Sequence, residues 1–186
     1  MNNIYKIDSY TPRDDENFLL DTNVLIKIFY PTLASKNSTP YIEFFNKIQK
    51  QKASLLISSI QLSEFINRCI RFQFDLYKKS HSNIKSFKED YRNTNDYKEC
   101  MSGIIEIVKT DILPAFLRIN DNFENMNPDN FLVYGFSYDF NDAIIAEIAR
   151  LEKAILVTDD RDYANHLDGL NIATNNRALL MFQSKH

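Results

Sequence analysis

Four acidic side chains lie where α/β proteins often carry functional residues, just after short apolar runs or near the starts of helices. They are Asp21, Glu64, Asp142 and Asp160. Asp21 directly follows Phe18–Leu20, and Asp160 closely follows Ala154–Val157. Ligand sites in open α/β sheets lie outside the carboxyl ends of the strands. Any one of these acids alone is typical of a turn, a helix cap or a solvent-exposed face, but together they predict a shared site.

Carboxylates gathered in this way need a counter-charge, because like charges raise one another's pKa values. A hard divalent cation supplies it, and an all-oxygen ligand set favours Mg²⁺ or Mn²⁺ over zinc. The three histidines are scattered along the chain, and two cysteines are too few for a zinc site. The sequence therefore predicts a Mg²⁺ or Mn²⁺ site.

Short apolar strands that alternate with helices are expected to hold these acids. The strands predicted from apolar runs are Phe18–Leu20, Leu55–Ile57, Phe116–Ile119, Ala154–Val157 and Leu170–Ala173. Residues 1–17 are polar and are interpreted as a lead-in. The alternation predicts an α/β fold with a parallel sheet of about four to five strands, flanked by helices on both faces. One domain spanning residues 1–186 is expected.

A long helix is predicted to begin at Ser58, where Gln61 completes a capping box. Apolar residues with helical spacing define its core-facing stripe: Leu62, Phe65, Ile66, Cys69 and Phe72. At about 100° per residue, Glu64 lies roughly 200° from Leu62. This pattern predicts that Glu64 faces away from the core.

Four segments resemble the motifs of the PIN domain family, in the family's order. They are Leu19–Ile26 (LLDTNVLI), Ile57–Glu64 (ISSIQLSE), Asn141–Ala146 (NDAIIA) and Ile155–Tyr163 (ILVTDDRDY). The resemblance covers about residues 17–64 and 136–175 and implies a PIN-like fold. Residues 65–135 are longer than in compact family members and are expected to form a mainly helical insertion.

The resemblance implies a metal-dependent ribonuclease, and many members of the family are VapC-like toxins of toxin–antitoxin pairs. It implies that Asp21, Glu64, Asp142 and Asp160 are the catalytic, metal-binding acids. Asn23 and Thr158 would support the site. The last motif is crowded by Asp159, Asp160 and Asp162; we favour Asp160, two residues after Thr158, with Asp162 as the second choice. The expected partners are an RNA substrate, an antitoxin protein and a second copy of the chain in a homodimer.

Charge is unevenly distributed along the chain. The net charge is −3, but residues 65–100 carry +3 and the rest of the chain −6. We expect this basic segment to bind phosphates through Arg68, Arg71, Lys78, Lys79, Lys85 and Lys88. Its aromatic residues Phe74, Tyr77 and Tyr91 could stack on bases, as suits single-stranded RNA. The alternative is that these charges are solvated helix faces and these aromatic residues belong to the core.

Two rival functions differ in class. A haloacid-dehalogenase-like phosphatase also begins with an Asp after its first strand, but it needs a second Asp where this chain has Asn23. A non-catalytic PIN-like module that binds RNA or protein is the other alternative. No apolar run approaches the ~18 residues of a membrane span, and no secretory signal is visible, so no membrane partner and a cytoplasmic location are expected.

Overall fold

Six parallel strands form one sheet in the computed structural model, which describes residues 3–30, 32, 38–132, 140–165 and 168–182. The strands are β1 (Ile4–Lys6), β2 (Asn17–Leu20), β3 (Ser54–Ile57), β4 (Leu117–Arg118), β5 (Ile155–Val157) and β6 (Asn171–Thr174). Their order across the sheet is β1-β6-β5-β2-β3-β4, and every pair is parallel. The α/β prediction is confirmed, with six strands in place of four to five.

The additional strand is β1, so the interpretation of residues 1–17 as a lead-in is wrong at Ile4–Lys6. This strand pairs with β6 at the sheet edge, with Ile4 opposite Ile172 and Lys6 opposite Thr174. Ile4 is buried against the sheet. Three residues are too few to give a periodic signal, and the partner strand lies at the other end of the sequence.

Helices cover both faces of the sheet. They are α1 (Thr22–Phe29), α2 (Thr39–Lys50), α3 (Ser59–Ser80), α4 (Asn95–Ile107), α5 (Leu113–Ala115), α6 (Pro128–Phe131), α7 (Phe140–Leu151) and α8 (Arg177–Phe182). A π-helical turn at Val108–Ile112 joins α4 to α5. No helix within the described ranges combines the length and the apolarity that crossing a bilayer requires.

Two hydrophobic clusters lie on opposite faces of the sheet, because successive strand side chains point to opposite sides. Phe18 and Leu20 belong to the cluster that also holds α1, α2 and α3 residues. Leu19, between them, belongs to the cluster that packs on α7. The central strands are therefore buried on both faces, which explains why their sequences are continuous apolar runs.

The segment 65–135 is mainly helical where it is described, and it also returns to the sheet as the edge strand β4. Leu117 and Arg118 pair with Leu56 and Ile57 of β3. The strand predicted at Phe116–Ile119 is thus present in its central two residues. That this segment is an insertion, and that the chain forms a single domain, remain predictions.

The aromatic residues expected to stack on bases belong largely to the core, so that expectation is wrong for two of the three. Tyr91 is fully buried and Phe74 is 8% exposed, and their ring centroids lie 5.4 Å apart. Tyr77 stacks on His81, with ring centroids 3.9 Å apart. Burying these aromatic rings against each other is energetically favourable, so they pack in the core instead of remaining on the surface.

Candidate active site

The carboxyl ends of the neighbouring strands β2 and β5 meet at one edge of the sheet, and Asp21 lies directly between them. Its backbone N–H donates to the carbonyl oxygen of Val157 at 2.9 Å. Its side chain is fully buried, and Oδ2 accepts a hydrogen bond from the Thr158 hydroxyl at 2.7 Å. The other oxygen, Oδ1, is buried and has no hydrogen-bond partner among the described residues. A buried oxygen without a hydrogen-bond partner lowers the stability of the folded protein unless a ligand binds to it.

The pKa of Asp21 is raised from 3.8 to about 6, and burial is the largest cause. The neighbouring carboxylates of Glu64 and Asp160 also contribute to this increase, whereas the Thr158 hydrogen bond and Arg68 oppose it. Desolvation disfavours the charged form, and like charges act in the same direction. The environment of Asp21 therefore favours a cation close to its carboxylate.

Glu64 is brought to the same edge by the first turns of α3. The predicted capping box is present: Ser58 N–H donates to Gln61 Oε1 at 2.9 Å. Gln61 Nε2 in turn donates to the carbonyl oxygen of Leu20 at 2.6 Å, which fixes the helix start against the end of β2. Glu64, one turn further along, therefore points toward the strand ends.

The prediction that Glu64 faces away from the core is wrong, because its side chain is only 9% exposed. Thr22 Oγ1 donates to Glu64 Oε2 at 3.0 Å, and Arg68 Nη1 lies 3.5 Å from Glu64 Oε1. The apolar stripe suggested a single buried face for α3. The first turns instead bury Gln61 and Glu64, since they pack on polar strand ends rather than on the apolar sheet face.

Asp160 lies beyond the end of β5 and is oriented by the same hydroxyl that binds Asp21. Its backbone N–H donates to Thr158 Oγ1 at 2.9 Å. Asn23 Nδ2 is 3.3 Å from Asp21 Oδ2 and 3.5 Å from Asp160 Oδ2, so this amide lies between two carboxylates. Thr158 and Asn23 thus hold the two acids in place, as a supporting role requires.

Asp142 lies in the first turn of α7, where free N–H groups favour a carboxylate. The fully buried Tyr163 lies nearby, and its hydroxyl is 3.5 Å from the Asp142 carbonyl oxygen. Burial raises the pKa of Tyr163 well above its ordinary value, and the negative charges of all four acids raise it further. Tyr163 is therefore close enough to all four carboxylates to be affected by their charge.

The two other acids of the last motif point elsewhere. Asp159 forms an ion pair with Lys27 and accepts a 2.9 Å hydrogen bond from the Tyr41 hydroxyl. Asp162 is half-buried, and its carboxylate is 3.9 Å from the exposed Arg161. Its N–H donates to Asp160 Oδ1 at 2.9 Å, so its backbone orients Asp160. Of these three acids, Asp160 is the one that accepts a hydrogen bond from Asn23 and lines the cavity with Glu64 and Asp142.

An open cavity of about 580 Å³ lies at this edge of the sheet, and we call it the acidic cavity. Its lining residues are Asn23, Ile60, Ser63, Glu64, Asn67, Arg68, Asn141, Asp142 and Asp160. Three of the four predicted acids therefore line one cavity. The fourth, Asp21, does not reach the wall but contacts the lining residue Asn23.

The donor set fits a hard divalent cation. It consists of carboxylate oxygens, includes the unpartnered Asp21 Oδ1, and is adjoined by hydroxyl and amide groups rather than sulfur or imidazole. No three His, Cys, Asp or Glu side chains in the described part of the chain converge closely enough to form a ready-made metal cage. Glu64, Asp142 and Asp160 are instead spread along the wall of the cavity.

Among the predicted phosphate-binding residues, only Arg68 lines the acidic cavity. The guanidinium of Arg71 lies 4.0 Å from the ring centroid of Phe87, and Lys78 Nζ lies 5.2 Å from that of Phe74. Lys78 follows Glu64 by fourteen residues of one helix, which places it about 21 Å along the α3 axis. Lys79, Lys85 and Lys88 are also exposed and lie in or after the far end of α3.

Sequence reasoning missed three residues around the acids. Thr22 donates to Glu64, Lys27 pairs with Asp159, and the buried Tyr163 lies next to the Asp142 backbone. Thr22 and Tyr163 stand inside the quoted motifs, so their positions were a usable signal. Lys27 carried no such signal, because its partner is 132 residues away.

The fold and the site together define an α/β domain with a carboxylate-lined cavity at the carboxyl edge of a parallel sheet. The chain belongs to the PIN domain family, because the family's sequence pattern matches residues 18–169. A comparison with curated proteins gives no significant match.

Three solved structures are similar to this chain at low sequence identity. VapBC2 from Rickettsia felis bound to a promoter DNA fragment has 18% identity over 85% of this chain and 98% of that chain, with a TM-score of 0.47. FitAcB from Neisseria gonorrhoeae has 16% identity over 84% and 96%, with a TM-score of 0.49. PAE2754 from Pyrobaculum aerophilum has 16% identity over 97% of both chains, with a TM-score of 0.45.

Proposed function

We propose that this chain is a metal-dependent endoribonuclease that hydrolyses RNA phosphodiester bonds. The observation that carries the proposal is the acidic cavity, which Glu64, Asp142 and Asp160 line and whose lining residue Asn23 contacts the buried Asp21. Membership of the PIN domain family supports a nuclease, because PIN domains are generally nucleases. The role of each acid is our assignment.

Asp21, Glu64, Asp142 and Asp160 would hold Mg²⁺ or Mn²⁺. Such an ion, when bound, lowers the pKa of a coordinated water and offsets the charge of a phosphate. The protein residues around it keep the acids in position. Thr158 orients Asp21 and Asp160 together, and Asn23 donates to both.

Arg68 carries the positive charge nearest to the acids within the wall of the cavity. Its guanidinium lies 3.5 Å from Glu64 and has further N–H groups that can donate hydrogen bonds to a phosphate oxygen. In a cavity lined by carboxylates, Arg68 offers an RNA phosphate a positively charged side chain. Arg68 is therefore our principal candidate for substrate contact, with Arg71, Lys78, Lys79, Lys85 and Lys88 as candidates for a longer RNA.

The test is cleavage of single-stranded RNA by the purified chain in Mn²⁺ or Mg²⁺, with a chelator as the negative control. Asp142→Asn should abolish most cleavage, since it removes one of the carboxylates that line the cavity. Asp75→Asn is a matched control, because this exposed residue lies on α3 outside the site. RNA binding without cleavage under all metal conditions would overturn the proposal in favour of a non-catalytic module. A phosphatase is disfavoured because Asn23 donates hydrogen bonds where that chemistry needs an acid.

The narrower role that we propose is the toxin of a toxin–antitoxin pair in the cytoplasm. A toxin should arrest growth when expressed, the Asp142→Asn variant should not, and the product of a small neighbouring reading frame should restore growth. Arrest by both forms of the protein would contradict the role. The proposed homodimer is tested separately, by the molar mass of the purified protein in light scattering.

A further inference from the structure

A second cavity, of about 220 Å³, opens beside the acidic cavity. We call it the side pocket, and its walls are Asn23, Ile26, Lys27, Arg68 and Phe72. Asn23 and Arg68 line both cavities, so the two are contiguous. A ligand in the side pocket therefore lies next to the proposed cleavage site.

Two helices face each other across the side pocket. Asn23, Ile26 and Lys27 occupy one side of α1, at the three- and four-residue spacing that aligns side chains on a helix. Arg68 and Phe72 are four residues apart on α3 and present a second such face. Phe72 was assigned to the core from its apolar spacing, but it is only partly buried. Its ring therefore forms part of an open wall.

The wall combines flat apolar surface with N–H donors. Phe72 and Ile26 supply the apolar surface, and Lys27, Arg68 and Asn23 supply the donors. The Lys27 ammonium is held in place by its ion pair with Asp159 and lies 4.7 Å from the centroid of the Tyr41 ring. A nucleobase matches this lining, because its faces are apolar and its edges carry carbonyl and ring-nitrogen acceptors. The volume lies below the ~300–1,000 Å³ of pockets for drug-sized ligands and suits one ring system.

We propose that the side pocket binds one unstacked base of the RNA, while the phosphate next to that base lies in the acidic cavity. This inference rests on the proposed function, since it specifies the substrate of the same site. Arg68, which lines both cavities, contacts the connecting phosphate. A base in a duplex reaches the pocket only after it unpairs and unstacks, at a cost of free energy. The pocket therefore selects single-stranded RNA.

The test measures how strongly one base contributes to binding and whether Phe72 carries that contribution. Asp142→Asn protein with Mn²⁺ is titrated onto a short, fluorescently labelled single-stranded RNA of mixed sequence, with anisotropy as the readout. The same RNA is then used with a single abasic position moved along the strand. At one position the abasic RNA should bind about tenfold more weakly, which is within the usual range for loss of a stacked base.

Phe72→Ala should bind the intact and the abasic RNA equally, because the aromatic wall is lost. Phe72→Leu removes the aromatic ring but keeps apolar volume for packing. It therefore shows whether the difference in affinity between intact and abasic RNA is lost in a protein that still folds. A melting temperature near that of the parent protein confirms folding. Phe123→Ala removes a 60% exposed ring outside both cavities and should retain the full base effect.

Cleavage by the parent protein, measured in parallel, separates the two proposals. Base-dependent binding that needs Phe72, without cleavage, would support the side pocket and refute the nuclease. Cleavage with equal binding of intact and abasic RNA at every position would refute the side pocket and leave the nuclease intact. Equal binding of duplex and single-stranded RNA would also refute it. Absence of both binding and cleavage would refute both.

Discussion

The Thr158 hydroxyl donates a 2.7 Å hydrogen bond to Asp21 Oδ2 and accepts a 2.9 Å hydrogen bond from the Asp160 N–H. One side chain therefore fixes acids that follow two neighbouring strands. The hydrogen bond lowers the pKa of Asp21, but burial has the larger effect and leaves that pKa at about 6. At neutral pH the metal-free protein thus keeps a charged carboxylate buried at a cost in stability.

The first prediction concerns pH and the metal-free protein. The pKa of Asp21 is about 6 in the folded protein and 3.8 ordinarily, so the folded state binds this proton more tightly. The free energy of unfolding should therefore increase as pH falls below 6, by about 1 kcal/mol between pH 6 and pH 5. Thermal melts in chelator measure it, and Asp21→Asn should lack this increase. An identical pH profile in the Asn variant would contradict the assignment of the titrating group.

The second prediction concerns metal binding. Because Mn²⁺ or Mg²⁺ binds the folded state, it should raise the melting temperature. At a metal concentration of a hundred times the Kd, the free energy of unfolding should increase by about 2.7 kcal/mol. Asp142→Asn should leave the metal-free protein unchanged or more stable, because it removes one repelling charge, and should reduce the shift with metal. The exposed-residue control Asp75→Asn should show the full shift. An undiminished shift in Asp142→Asn would remove this residue from the proposed ligand set.

The third prediction separates the three acids after β5. Asp160→Asn should lose most cleavage activity with little loss of stability. Asp159→Asn should retain cleavage but lose about 1–2 kcal/mol of stability, because Lys27 would lose its partner in a largely buried pair. Asp162→Asn should have an intermediate effect on cleavage, because it removes a negative charge close to Asp160 but keeps the backbone N–H that donates to Asp160 Oδ1. Cleavage rates and melts of the three variants decide the matter; an inactive Asp159 variant beside a near-normal Asp160 variant would reverse our assignment.

The fourth prediction concerns the length of RNA that the protein contacts. Arg68→Gln should weaken binding of short and long RNA alike and reduce the salt slope by about one. A combined change of Lys78, Lys79, Lys85 and Lys88 to Gln should weaken binding and flatten the salt dependence for long RNA only. The reason is that Lys78 lies about 21 Å along α3 from Glu64.

Anisotropy titrations at several salt concentrations, with RNAs of two lengths, measure these slopes. Metal binding should be unaffected in the lysine variant. If long RNA binds the lysine variant with the affinity and slope of the parent protein, the basic segment is a packing or dimer surface. The substrate path would then be sought near Arg150, Arg161 and Arg177.

The central strands were predictable because each is buried on both faces and is therefore continuously apolar. Phe18–Leu20 and Ile155–Val157 show this, and Asp21 and Asp160 follow directly from where these strands end. Strand β1 was not predictable, since three residues with one buried side chain carry no period. Its place in the sheet depends on a pairing with β6 that no local pattern reports.

The environment of Glu64 was not predictable from helical spacing, because that spacing records contacts with apolar surface only. At the start of α3 the neighbouring groups are polar: the Leu20 carbonyl, the Thr22 hydroxyl and the Arg68 guanidinium. Likewise, the adjacent Asp159 and Asp160 could not be told apart by type. Lys27 and Tyr41, far away in sequence, pair with Asp159 and leave Asp160 for the cavity.

The sheet order has a consequence for protein synthesis. Strand β2, near the start of the chain, lies between β3 and β5, and β5 is synthesised more than a hundred residues later. Thr158 and Asp160 reach Asp21 only through that late pairing. A nascent chain that carries the first two acids but not yet residue 160 has no complete site. Any activity of the four acids therefore begins only after the ribosome has passed residue 160, whatever controls it afterwards.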